Sequence, residues 1–242
     1  MACLRCNILP WRPYPVAVAA LVLGVAPAWA HPEIEAALTR LNSAIAATPG
    51  NAELYLPRGD LYVKHEAWIA AEANYLRAGE LTPLLPGLAR SRGALGLATR
   101  DFTAALAHLH QALELNPGDL DALILRVGAR VALNDRAGGL ADLDVALKKI
   151  ARPGPELFLT RAALHDSPDE AIASLAAAIA RIGPEPTLQL RALELEETHG
   201  RVDDALRRLD TLAREGERRE SWLKRSGDLL TRIGRLDQAR AA

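Results

Sequence analysis

Apolar residues recur along most of this chain at the three-and-four spacing of amphipathic helices. The stretch Asp169–Pro184, DEAIASLAAAIARIGP, is a complete case, apolar on one side and ending at Gly183-Pro184. ELFLTRAALHD, just before it, reads as a shorter helix. PEIEAALTRLNSAIAATPG, from Pro32 to Gly50, reads as a lone helix with Glu33, Glu35 and Arg40 on its outer side. The apolar positions are filled mostly by alanine and leucine, and aromatics make up only 4% of the residues. Ala costs least in a helix, whereas strands favour Val, Ile, Thr and aromatics. The pattern therefore predicts an all-α chain.

The pattern also repeats. Gly59 and Gly93, Ala71 and Ala105, Ala78 and Ala112, and Pro83 and Pro117 are each separated by 34 residues. Ala37, Leu41, Ala44 and Pro49 stand 34 before Ala71, Tyr75, Ala78 and Pro83. Ala171, Ala205 and Ala239 keep the same spacing, and Gly200 and Gly234 each head a Gly-Arg turn. A glycine inside a helix costs about 1 kcal/mol relative to Ala, which is tolerable where a neighbouring helix must approach closely. Two alanines seven apart, such as Ala71 and Ala78, lie two turns apart on one face and offer a flat stripe for packing. Ala171 with Ala178 and Ala105 with Ala112 repeat the device, and Ala205, Gly128 and Gly227 are expected to serve the same contacts. Proline then ends the second helix. Each unit is a pair of antiparallel helices that buries its apolar face only by stacking on its neighbours.

Read residue by residue, this unit resembles the tetratricopeptide repeat, whose 34 residues carry an aromatic, Leu-Gly, Tyr, Ala, an aromatic, Ala and Pro in order. In the first full unit these are Tyr55, Arg58-Gly59, Tyr62, Ala71, Tyr75, Ala78 and Pro83, with Arg58 alone departing from the pattern. The second unit keeps Gly93, Ala105, Leu109, Ala112 and Pro117 but has Ala89 and Gly96 at the aromatic positions. The third keeps Gly128, Leu143 and Ala146 and is one residue short in its turn. The resemblance implies a right-handed superhelical stack of about five to six repeats. Its expected units are approximately 52–85, 86–119, 120–152, 153–185, 186–219 and an incomplete 220–242, capped by the half repeat 31–50. The chain stops at Ala242, one turn into the last helix; a truncated chain or an end covered by a partner is the expectation there.

The first thirty residues stand outside this pattern. Arg5 and Arg12 precede the uncharged run VAVAALVLGVA, Val16 to Ala26, and Ala28 and Ala30 occupy the small-residue positions of a signal-peptidase site. A run this short falls well below the roughly 20 residues a membrane span needs. The expectation is a secretory signal over 1–30, cleavage after Ala30 and a mature chain starting at His31, most plainly in a bacterial periplasm, with no membrane insertion afterwards. Cys3 and Cys6 both lie in that leader, so the mature chain has no disulfide framework and no thiolate metal site. The whole chain carries a net charge of −1, which becomes more negative when Arg5 and Arg12 leave. That balance argues against general nucleic-acid or anionic-membrane binding.

No nucleophile elbow, phosphate loop, His-Glu-x-x-His or calcium loop occurs, so no catalytic residue, no enzyme activity and no cofactor are expected. The acid pairs Glu196-Glu197, Asp203-Asp204 and Asp142 with Asp144 read as solvated faces, and Trp68 and Trp222 as packing residues. His108 and His110 are two apart and point to different helix faces; His65, His165 and His199 fall near turns. His31 as a free N-terminus would offer an amino group and an imidazole to copper, a minor alternative. In proteins of the resembled family, the first helix of each unit lines a concave groove. Counting from each glycine puts Arg126, Arg191 and Arg225 at matching groove positions, with Arg90 one position off. Arg suits bidentate recognition of carboxylates, so a protein or peptide partner, acidic at its contacts, is expected in that groove. Leu56 and Asp60 stand where the carboxylate clamp of chaperone-binding members has Lys and Asn, so that clamp is absent. A rival reading makes the chain an accessory part that docks a separate enzyme, or a piece of a larger enzyme system.

Overall fold

A computed structural model describes residues 32–215 and 219–241. The leader and His31 fall outside them. Thirteen helices and no strands occur among the described residues. They are α1 (Pro32–Ala47), α2 (Ala52–Lys64), α3 (Trp68–Leu81), α4 (Leu88–Ala98), α5 (Phe102–Leu115), α6 (Leu120–Ala132) and α7 (Arg136–Lys149). There follow α8 (Pro155–Leu164), α9 (Pro168–Ile182), α10 (Pro186–Thr198), α11 (Val202–Glu215), α12 (Arg219–Arg232) and α13 (Leu236–Ala241). From α2 onward they form six pairs, α2/α3 through α12/α13, and each first helix also packs on its neighbours along the stack.

The turn inside five of the six pairs has a shared geometry. Glu66, Arg100, Asn134, Gly200 and Gly234 all have left-handed backbone, with φ of 57, 64, 61, 72 and 78°. Ala67, Asp135, Arg201 and Arg235 then donate their N–H to the carbonyl five residues back, at 2.8 to 3.0 Å, and close the first helix. Asp101 and Asp135 cap α5 and α7 by accepting from the N–H groups of Ala104 and Gly138. The α8/α9 pair differs: Pro168 starts its second helix and none of its turn residues has positive φ.

Small residues decide how closely the helices of a pair approach. A Cβ on Gly59 would come within 2.8 Å of Tyr75 Cδ1, and one on Gly93 within 2.7 Å of Leu109 Cδ2. Neither position admits a side chain without displacement. Ala71, Ala78, Ala105, Ala112, Ala171, Ala178 and Ala205 are all buried. Gly128 departs from its expected role. It is exposed, and a Cβ there would meet only Leu97 at an ordinary 3.8 Å. The residue 34 after Gly93 is Val127, which is buried and packs with Leu143. Counting the third unit from Gly128 therefore slips the register by one. Gly227 faces α13 with room to spare, the Ala239 carbonyl oxygen lying 3.8 Å from a Cβ placed there. The apolar core is divided into successive clusters along the stack, including one around Tyr75, one around Leu109, one around Leu175 and one around Leu209.

Candidate functional site

The first helices α2, α4 and α6 lie side by side and leave a cleft of about 460 Å³. Val63 on α2, Ala94 on α4 and Ile124 and Leu125 on α6 supply its apolar surface. Asp60, Lys64, Arg90, Ser91 and Asp121 supply its polar groups. Tyr75 reaches in from α3 and donates its hydroxyl to Asp60 Oδ1 at 2.7 Å. Burial, reinforced by the Asp60 carboxylate, pushes the Tyr75 phenol well above its ordinary value, so it stays a donor. Lys64 is exposed and makes no ion pair among the described residues.

The four arginines expected in the groove do not form a free row. Arg90 Nη1 lies 3.1 Å from Asp119 and 3.4 Å from Asp121, bridging α4 to the start of α6. Arg225 pairs with Glu197 at 2.9 Å, bridging α12 to α10. Arg191 pairs with Glu194 one turn on at 3.2 Å, both half-exposed. Arg126 does not belong with the others. It grips Asp142 on α7 through two bonds, Nε to Oδ2 at 2.9 Å and Nη2 to Oδ1 at 2.6 Å. The physical reason is the register slip at Gly128, since Arg126 directly precedes Val127, as Arg58 and Arg92 precede Gly59 and Gly93.

That corrected register reveals a column of polar locks inside the repeats. Arg58 on α2 donates to Asn74 on α3 at 2.7 Å and to Asn42 on α1 at 2.9 Å. Arg92 on α4 donates to the Tyr75 carbonyl at 3.2 Å. Arg126 holds Asp142, which Arg130 also approaches at 3.1 Å. Arg161 on α8 donates to Ser174 on α9 at 2.6 Å and to Asp144 on α7 at 2.8 Å. In the fifth pair the arginine moves to the second helix. Arg208 binds both oxygens of Glu196 at 2.9 and 2.7 Å and Gln189 at 2.6 Å. Asp142 and Glu196 are thus buried, at 4% and 2% exposure, not solvated as their sequence setting suggested. The signal was present in the 34-residue spacing of Arg58, Arg92 and Arg126, hidden because only Arg58 was seen against its motif position.

Of the histidines, His65, His165 and His199 cap the ends of α2, α8 and α10. Among the described residues no group of three or more His, Cys, Asp or Glu side chains is placed to hold a metal ion. None of their helices is long and apolar enough to cross a membrane. Trp68 and Trp222 pack against the first and fourth core clusters.

No protein-family model and no curated protein sequence matches the chain. Solved structures do. A structure of Naa15/Naa10 bound to HypK-THB superposes with a TM-score of 0.55 at 16% identity, over 84% of this chain, which spans about a third (32%) of the matched one. A tetratricopeptide repeat protein from Parabacteroides merdae gives a TM-score of 0.52 at 16% identity, covering 83% of this chain and 77% of that one. YrrB, described as a TPR protein with an unusual peptide-binding site, gives 0.58 at 18% identity, covering 70% and 89%. Paired helices, small-residue contacts and left-handed turns at a 34-residue period agree with these superpositions: the chain has the fold of the tetratricopeptide-repeat proteins.

Proposed function

We propose that this chain is a non-catalytic scaffold, exported to the cell envelope, that holds a segment of another protein in the cleft between α2, α4 and α6. The observation carrying the reading is the cleft itself: an apolar floor at Val63, Ile124 and Leu125, with hydrogen-bonding and charged groups along its sides. Ile124 stays 37% exposed on a helix whose other apolar residues are mostly covered, so an incoming side chain gains by packing on it. Lys64 is the cation left to meet an acidic side chain of the partner, because Arg90 already carries Asp119 and Asp121. The peptide-binding site of YrrB lends analogy, though fold alone does not determine function. Export is proposed from the leader pattern of residues 1–30.

The test is affinity capture from envelope extract. The baits are the chain and a Lys64→Glu, Ile124→Glu double variant, both shown folded by circular dichroism. A partner retained by the first and lost by the second supports the reading; identical capture by both overturns it. Intact mass of the chain recovered from the periplasm, expected to begin at His31, tests the export.

A further inference from the structure

The second helices α3 and α5 each pack on α4 and leave a separate cleft between them, of about 510 Å³, walled partly by Ile69, Glu72 and Leu76 of α3. Its α3 wall is apolar and unpartnered. Ile69 is 89% exposed and Leu76 51% exposed. Together with Ala73 they sit at i, i+4 and i+7, one face of the helix. The corresponding residues one and two repeats on are Thr103 and Ala137 for Ile69, and His110 and Asp144 for Leu76. At these two positions α5 and α7 thus carry small or polar residues where α3 presents branched aliphatic ones.

Charge decides what fits. Glu72 stands in the middle of the apolar stripe, exposed and, among the described residues, without a hydrogen bond or ion pair. Asp101 stands exposed on the opposite wall. The cation present, Arg92, is partly buried on the floor with Nη2 committed to the Tyr75 carbonyl. His108, also in the wall, is held towards its neutral form by burial and by Arg92. The accessible charge is therefore carboxylate. Ile69 and Leu76 lie about 10 Å apart along the helix axis, which matches aliphatic anchors two turns apart on an incoming helix.

We propose that this cleft docks a cationic amphipathic helix of another protein, with aliphatic anchors on Ile69 and Leu76 and a Lys or Arg opposite Glu72 and Asp101. A helix laid into a groove between two helices is an established mode of recognition, and opposite charge at its rim sets which helix is accepted. α3 and α4 each contribute to both clefts, but no residue lines both, so the two proposals fail separately.

The experiment uses the full chain and two fluorescent designed peptides of about 18 residues, long enough for a marginal helix. Both carry leucines at i, i+4 and i+7; one is flanked by lysines and the other by glutamates at the same positions. Fluorescence anisotropy is expected to show the lysine peptide binding about tenfold more tightly. Glu72→Lys is expected to reverse that preference, and Ile69→Lys to abolish binding of both. Lys64→Glu, Ile124→Glu in the other cleft leaves binding unchanged. Equal binding of the two peptides, no binding of either, or a preference that Glu72→Lys does not move overturns the proposal. So does sedimentation of the chain as a dimer that Ile69→Lys converts to a monomer, which would make a second copy the occupant.

Discussion

Asp142 shows how much one buried carboxylate can govern. It accepts two bonds from Arg126 and lies 3.1 Å from Arg130, all on the α6/α7 contact. Such a pair is weak evidence of net stabilisation, because burying both charges is costly, but removing one partner strands the others. Asp142→Ala is expected to destabilise the chain by about 3–5 kcal/mol, read as a lower urea midpoint with circular dichroism. An unchanged midpoint would show that water reaches the guanidinium groups. His108 makes a smaller, pH-dependent contribution. Burial and then Arg92 lower its pKa from the ordinary 6.5, against the weaker opposing pull of Glu72 and Asp101. The unfolded chain therefore takes up that proton first as pH falls through about 6.5. The folded state binds fewer protons there, so stability is full above that pH and declines below it until the folded imidazole also protonates. His108→Gln is expected to flatten the decline between about pH 7 and 5 in denaturation series; a slope equal to the parent's would remove His108 as its source.

At the scale of the helix pair, glycines at superficially equivalent places have opposite worth. Gly59→Ala gains about 1 kcal/mol of helix propensity but drives a methyl group into the Tyr75 ring, an overpacking cost of about 1–3 kcal/mol. The net expectation is destabilisation. Gly128→Ala takes the same propensity gain on an exposed position with nothing nearer than 3.8 Å, and is expected to stabilise by up to about 1 kcal/mol. Paired urea melts decide it, and two changes of the same sign would refute the register assigned to the third pair. The 34-residue period made the helix pairs and the alanine stripes legible in the sequence. The register of that third pair was not legible, because a glycine one residue off is a stronger mark on the page than a valine in the right place. The locks were hidden for a different reason: a buried Asp142, held by Arg126, and a half-exposed Asp144, held by Arg161, occupy the same helix two residues apart, and only the neighbouring helices distinguish them. The groove arginines were legible as residues but not as partners, since the acids that hold Arg90 and Arg225 come from neighbouring units.

The whole molecule is a row of small cores, each built from adjacent pairs, and its energetics should follow that geometry. The cluster around Tyr75 includes Tyr55, Ala71, Ala78, Leu88 and Leu95 from α2, α3 and α4, and no residue beyond α4. The cluster around Leu209 includes Leu193, Ala205 and Leu229 from α10, α11 and α12. Contacts between units are thus nearest-neighbour, the condition under which stability behaves as a sum of unit and interface contributions. A perturbation at one end should remain there. Gly59→Ala is expected to speed native-state amide exchange across α2, α3 and, by their shared packing, α4, while leaving exchange in α10 and α11 at its parent rate. Hydrogen exchange read by mass spectrometry of peptic fragments resolves these regions. Faster exchange spread evenly to α11 would mean that the six pairs unfold as one cooperative body. The two clefts, both walled by α4, would then share one opening equilibrium with the whole stack. Confinement to α2–α4 instead places one side of each cleft on the segment whose local stability Gly59 controls, so ligand occupancy of either should protect α4 amides without protecting α10.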